Sequence, residues 1–212
     1  MDWATVLREG LLAYLFFIPL LTMHEWAHAW TAWKCGDNTA HQLGRVSINP
    51  IVHMDLLGTV ILPLLGLLST AMGAGVIIGW GKPVPVNPLN LKHPRAQDSL
   101  IAMAGPAMNI VLAIVLLLLV KALKTGPVAD AASQMAFLSL FLCFFNLLPI
   151  PPLDGSHLIM NLVRMSYKTY IRLSVAGFIV VIVLMQFSWM RRFLTIIVAT
   201  TFNFFRKILG LP

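Results

Sequence analysis

The chain has 212 residues, 58% of them hydrophobic and only 11% charged, a balance far from that of a water-soluble domain. Its formal net charge of +7 comes from lysines and arginines at the ends of apolar runs rather than in one patch, which points to membrane orientation and lipid headgroups and away from nucleic acid. The two cysteines, Cys35 and Cys143, lie far apart and outside any C-x-x-C pattern, so they indicate neither a disulfide framework nor a cysteine metal site.

Apolar runs recur at residues 10 to 33, 56 to 80, 99 to 120, 131 to 149 and 173 to 190, each near the ~20 residues that cross a bilayer core. A shorter run, 193 to 205, follows Arg191 and Arg192 and leaves a further crossing open. The pattern predicts an all-α polytopic membrane protein, a bundle of about five to six transmembrane helices. It is expected to form a single membrane-embedded domain over residues 1 to 212, without room for a separate soluble domain. The first run is too long for a signal-peptide core and lacks a small-residue cleavage site, so it is expected to stay in the mature chain.

That first run contains "LTMHEWAHAW". His24 and His28 are four residues apart, so on a helix they project from one face, one turn above the other, as two nitrogen ligands of a tetrahedral metal require. Glu25, beside them, can reach a water on that metal without ligating it, the place for a general base. Ionisable residues within an apolar run cost several kcal/mol unless paired, coordinated or wet, so they mark a functional site.

The run 56 to 80 is interrupted by Pro63, Gly66, Gly73, Gly75 and Gly79, as expected of a hairpin or re-entrant segment rather than one straight helix. The loop 81 to 98 begins "GKPVPVNPLN" and reads as extended, its prolines preventing full pairing along both edges. An unwound peptide adding a strand there and a rigid proline-rich connector are both compatible with it. In "AGPAMN", residues 104 to 109, Ala104 and Gly105 permit close approach of another helix, and Asn109 adds an amide. After the fourth run comes "NLLPIPPLDGSHL", residues 146 to 158, where three prolines break the helix near Asp154. Asp154 and His157 compete as the third metal ligand, and Asp154 fits equally well as the N-cap of a following helix. Asn109 and Asn146 are candidates for supporting an oxyanion or substrate, or for interhelical hydrogen bonds. His41, His53 and His93 lack a second ligand at helical spacing and read as interfacial.

Three of these motifs in this order, "HEWAH", "GPAMN" and "NLLPIPPLDG", resemble the site-2 protease family of intramembrane zinc metalloproteases (peptidase family M50), whose pattern runs HExxH, GxxxN and NxxPxxxLDG. The likeness extends over about residues 10 to 165, leaving C-terminal helices at about 170 to 207, and is to the compact prokaryotic type without PDZ or CBS domains. It implies one Zn2+ per chain held by His24, His28 and Asp154, with Glu25 as the catalytic residue and Asn146 at the asparagine that opens the last motif. It further implies hydrolysis of peptide bonds in or near transmembrane segments of membrane-protein substrates, in a prokaryotic cell membrane. A membrane metal-ion transporter using the same His/Asp cluster is the competing class.

Bringing these motifs to one depth requires residues 34 to 55, 81 to 98 and 150 to 172 to share one side, and the run 56 to 80 to enter and leave by it. That side collects Lys34, Arg45, Lys82, Lys92, Arg95, Arg164, Lys168 and Arg172, against Arg8, Lys121 and Lys124 on the other. The positive-inside rule then orients the site toward the cytoplasm with the N-terminus outside. Reporter tags at residue 1 and within 121 to 130 are accordingly expected to report a non-cytoplasmic location, and a cytoplasmic signal from both would reverse the orientation.

Overall fold

The structure, a computed structural model, describes residues 3–71 and 79–211. Its α-helices in chain order are α1 (Trp3–Lys34), α2 (Thr39–Gln42), α3 (Leu62–Ala71), α4 (Pro94–Leu123), α5 (Pro127–Asn146), α6 (Gly155–Leu162), α7 (Tyr167–Gln186) and α8 (Ser188–Ile208). A stretch of π-helix, Leu56–Ile61, leads into α3. Both α4 and α5 start with proline in the first turn, where the missing N–H has no helical partner to lose. Helix α7 is capped by Ser166, whose hydroxyl accepts from the Thr169 amide at 3.2 Å.

Among the described residues α1, α4, α5 and α7 are long and apolar enough to cross a membrane, where the sequence suggests about five to six crossings. The difference lies in two segments. Residues 56 to 71 form only a short helical unit. Helix α8 carries Arg191, Arg192, Arg206 and Lys207, which lower its apolar character. It nevertheless lies alongside α5. Thr195 lines one crevice with Gln134, the Phe202 ring meets Phe137 edge-on at 5.6 Å, and Leu209 and Leu211 join the cluster that includes Phe144. The core of this contact is Ala113 and Leu117 of α4, Ala136 and Leu140 of α5, and Val198 and Phe202 of α8. Small alanines let the backbones approach, which supports helix association where apolar burial gives little advantage over lipid.

The expectation for the run 56 to 80 is met at its described ends. The Trp80 amide donates to Gly58 O at 3.0 Å and the Lys82 amide to His53 O at 2.8 Å. Thr59 Oγ1 donates to Trp80 O at 2.8 Å. The chain therefore returns to the level it left. Gly73 and Gly75, on which part of the hairpin expectation rests, lie outside the described residues. Residues 79 to 87 form neither helix nor strand, with an extended backbone at Asn87, and α4 begins at Pro94, inside the span read as loop.

The segments that precede and follow the run 56 to 80 meet at one end of the bundle, held by polar side chains. Asp37 is fully buried and accepts from the amide of Asn87 at 2.7 Å and from Nδ2 of Asn90 at 2.8 Å, as well as from Thr39. Gln97 Nε2 donates to Cys35 O at 3.1 Å. Arg45 is a correction. Rather than a surface cation of the membrane interface it is buried, donating to the carbonyls of Lys82 and Pro83. His53 is likewise buried rather than interfacial, its Nε2 at 2.7 Å from Ser47 O.

Burial raises the Asp37 carboxyl, but the hydrogen bonds from Thr39, Asn90 and Asn87 outweigh it and leave its pKa below the usual carboxylate value. A depressed pKa favours the folded state above the unfolded value near ~3.9, and that contribution is lost as pH falls through the lower folded value. Asp37→Ala strands several donors and is expected to cost about 1–3 kcal/mol near neutral pH, read as a lower Tm of the purified protein in detergent. Its melt should also change less than the parent's below about pH 4; an unchanged Tm at pH 7 would show that this clamp contributes nothing.

Candidate metal centre

On α1, His24 and His28 sit one turn apart with ring centroids 4.6 Å apart and nearly perpendicular. Their Nε2 atoms face each other at 3.0 Å. Asp154 Oδ2 completes the triangle, 3.2 Å from His24 Nε2 and 3.4 Å from His28 Nε2. Ligands at 2.0–2.1 Å from a tetrahedral zinc stand about 3.3 Å from one another, so the three atoms have the spacing of a shared ion. Both imidazoles are buried, and Asp154 Oδ2 is itself buried without a hydrogen-bond partner. Two nitrogens and one carboxylate oxygen aimed at one point fit a zinc-type ion with a fourth position for water. Among the described residues this is the group of His, Cys, Asp and Glu able to hold a metal.

The local sequence explains how Asp154 arrives. Helix α5 ends at Asn146, the proline-rich stretch turns back, and α6 starts at Gly155. Asp154 does stand at the N-cap position of α6, but its side chain makes no capping bond and points to the histidines instead. A Cβ at Gly155 would lie 2.2 Å from Leu147 O, so only glycine permits this fold-back. His157, the rival ligand, turns away: its Nδ1 lies 2.9 Å from Asp98 Oδ2 on α4. Asn161 Nδ2 donates to the same Oδ2 at 2.7 Å. This polar link ties α6 to α4, and no spacing in the sequence signals it.

Helix α4 backs the histidines. Ile101 O lies 2.7 Å from His28 Nδ1, and Asn109 Nδ2 lies 3.2 Å from His24 Nδ1. Between them a Cβ at Gly105 would come within 2.3 Å of His28 Nε2 and 2.6 Å of His24 Nε2. Gly105 is thus the gap that admits both imidazoles. Asn109 is placed behind a ligand rather than among the three ligand atoms. Asn146 Nδ2 donates to Leu142 O of its own helix at 2.9 Å.

Glu25 is half-buried, on the same turn as the pair and within electrostatic reach of His24, His28, Asp154 and Arg45. The segment 79 to 87 passes close by, since a Cβ on Gly81 would be 3.1 Å from Glu25 Oε1. His41 stacks on Trp33 at 4.5 Å and His93 stands at the N-cap of α4, so neither joins the metal group. Arg45, holding the segment beside Glu25, and the Ile101 carbonyl are the contributors that sequence reasoning missed. A backbone carbonyl leaves no residue-type signal, and a lone loop arginine looks like any interfacial cation.

A polytopic α-helical membrane protein that brings two histidines and a carboxylate to metal-ligand spacing, with a further carboxylate, Glu25, on the same helix, has the groups that a metal-dependent hydrolase requires. The sequence profile of Peptidase family M50 matches residues 12–134 and 121–189. The chain belongs to that family. It is 37% identical over 188 residues to "Putative zinc metalloprotease YwhC" of Bacillus subtilis, covering 82% of this chain and 81% of that protein. It is 37% identical over 139 residues to "Putative zinc metalloprotease Rip2" of Mycolicibacterium smegmatis and 32% identical to Rip2 of Mycobacterium tuberculosis, in each case over 64% of this chain and 51% of the relative. The matched part thus spans about half the length of these mycobacterial relatives. No solved structure matches significantly.

Gly105→Ala is expected to displace one or both imidazoles. Elemental analysis of the purified variant should show metal well below one ion per chain, and full metal retention would mean that the centre lies elsewhere.

Proposed function

We propose that this chain is an intramembrane zinc metalloendopeptidase that hydrolyses peptide bonds in or near transmembrane segments of membrane-protein substrates. The observation that carries the reading is the approach of His24 Nε2, His28 Nε2 and Asp154 Oδ2 to within 3.0–3.4 Å of one another, with Glu25 adjacent on the same helix. The names of the relatives, zinc metalloproteases, support zinc as the ion.

In this reading His24, His28 and Asp154 hold the ion. A zinc ion held there would supply Lewis acidity, bringing the pKa of water toward ~7. Glu25 takes the proton of the attacking water as the C–O bond forms, and returns it to the amide nitrogen as the C–N bond breaks. Asn146, which uses one N–H on Leu142 O, keeps a second N–H for the oxyanion. Because a helix hides its carbonyls, the substrate must unwind locally, and the extended segment past Gly81 lies beside Glu25 where an unwound strand would pass. The whole chain acts as one membrane-embedded catalytic domain, with its core in about residues 10 to 165. The site opens toward the cytoplasm of a prokaryotic cell, because Lys34, Lys82, Lys92, Arg95, Arg164, Lys168 and Arg172 remain on its side after Arg45 is set apart.

Co-expression tests this. Membranes containing the parent should yield a substrate fragment absent from those containing Glu25→Gln, while purified Glu25→Gln keeps its zinc and Asp154→Ala loses it. Undiminished cleavage by Glu25→Ala would overturn the mechanism, and metal flux into liposomes that survives loss of Glu25 would favour transport instead.

A further inference from the structure

Residues Ile101, Gly105 and Asn109 follow one another at intervals of four along α4 and therefore form one stripe of that helix. The stripe faces the two histidines. Its carbonyl at 101 meets His28 Nδ1, its gap at 105 receives both Nε2 edges, and its amide at 109 meets His24 Nδ1. A neutral imidazole carries one proton, so a ring whose Nε2 faces a metal must carry that proton on Nδ1. For His28 the requirement is met automatically, because a backbone carbonyl only accepts.

For His24 the partner is ambiguous by chemistry. The Asn109 side chain is fully buried, with Nδ2 at 3.2 Å from the ring and Oδ1 without any hydrogen-bond partner. An NH2 group set against Nδ1–H would oppose donor to donor. Amide oxygen and nitrogen exchange places by a half-turn of the terminal torsion, at almost no change in shape. That turn costs the oxygen no existing bond and gives it Nδ1–H to accept. The backbone on which it turns is held by Ser139 Oγ, which donates to Asn109 O at 2.8 Å.

Building on the zinc reading above, we infer that Asn109 presents its amide oxygen to His24 Nδ1, and so fixes the tautomer and ring orientation that leave Nε2 free for the ion. Asn109 is thereby a positioning residue. Together with the Ile101 carbonyl it gives each imidazole an acceptor on the face away from the metal, and both acceptors come from one helix. The four-residue spacing of Gly105 and Asn109 in "GPAMN" then has one purpose at each end: room for the ligand atoms, and an acceptor one turn further on.

The test is zinc affinity of the purified full chain in detergent, measured by competition with a chromophoric chelator. Asn109→Leu, similar in size but unable to accept, should weaken zinc binding about 10–100-fold. Asn109→Asp retains an acceptor and no donor, and should bind within about threefold of the parent. An Asp variant as weak as the Leu variant overturns the inference, because the amide then works as a donor, and so does a Leu variant with parental affinity. If Asn109→Leu fails to fold, the Asp variant alone decides: retained affinity supports an accepting role and a loss of tenfold or more overturns it. A parent chain that binds no zinc overturns the reading of the site together with this inference, whereas zinc binding abolished by Asp154→Ala but indifferent to residue 109 overturns the inference alone.

Discussion

Two imidazoles and a carboxylate that face one another at 3.0–3.4 Å inside an apolar bundle need a shared positive charge, whether protons or a metal ion. Burying such groups without it costs several kcal/mol per ion. Much of the surrounding structure answers to that need. The proline-rich turn exists where Asp154 must leave α5 and reach back to α1. Gly105 opens α4 where the histidine rings enter. The fully buried Asn109 and the Ile101 carbonyl take up the outer ring nitrogens, so that no polar edge of either imidazole is left against hydrocarbon.

A second tier of polar contacts holds the elements that bear these groups. Asp98 grips His157 and Asn161 and so fixes α6, on whose first turn Asp154 borders. Asp37 ties the end of α1 to residues 87 to 90. Arg45 takes the carbonyls of Lys82 and Pro83 and keeps the segment around Gly81 beside Glu25. The Trp80 ring packs against Gly58 and meets Phe178 of α7 at 5.0 Å, so this segment also connects the hairpin to α7. Among these contacts, those of Asp37 and Arg45 also give irregular backbone, the Asn87 amide and the Lys82 and Pro83 carbonyls, hydrogen bonds it lacks outside a helix.

What the sequence made legible and what it hid divide along physical lines. Helical spacing brings His24 and His28 together whatever the tertiary structure, and apolar length alone marks α1, α4, α5 and α7. The return of the run 56 to 80 followed from having to bring three motifs to one depth, and the bond from Lys82 to His53 O agrees. Asp154 against His157 was undecidable from spacing, because the answer depends on Asp98, some sixty residues upstream and visible only once α4 and α6 are packed. Arg45 and His53 looked interfacial for the same reason: their partners are backbone carbonyls, which no residue type announces. Helix α8 is ambiguous in the sequence because its arginines favour water or headgroups, whereas Val198 and Phe202 pack with Ala136 and Leu140 of α5.

The two histidines lie in the first helix and the aspartate follows the α4–α5 hairpin. Chains emerge from the ribosome N-terminus first, so a partly made molecule holds His24, Glu25 and His28 in α1 before Asp154 exists to join them. The order of His24, His28 and Asp154 along the chain thus delays their meeting until the hairpin has been laid down and the chain has turned back. While the chain is still entering the membrane, these residues therefore cannot act together.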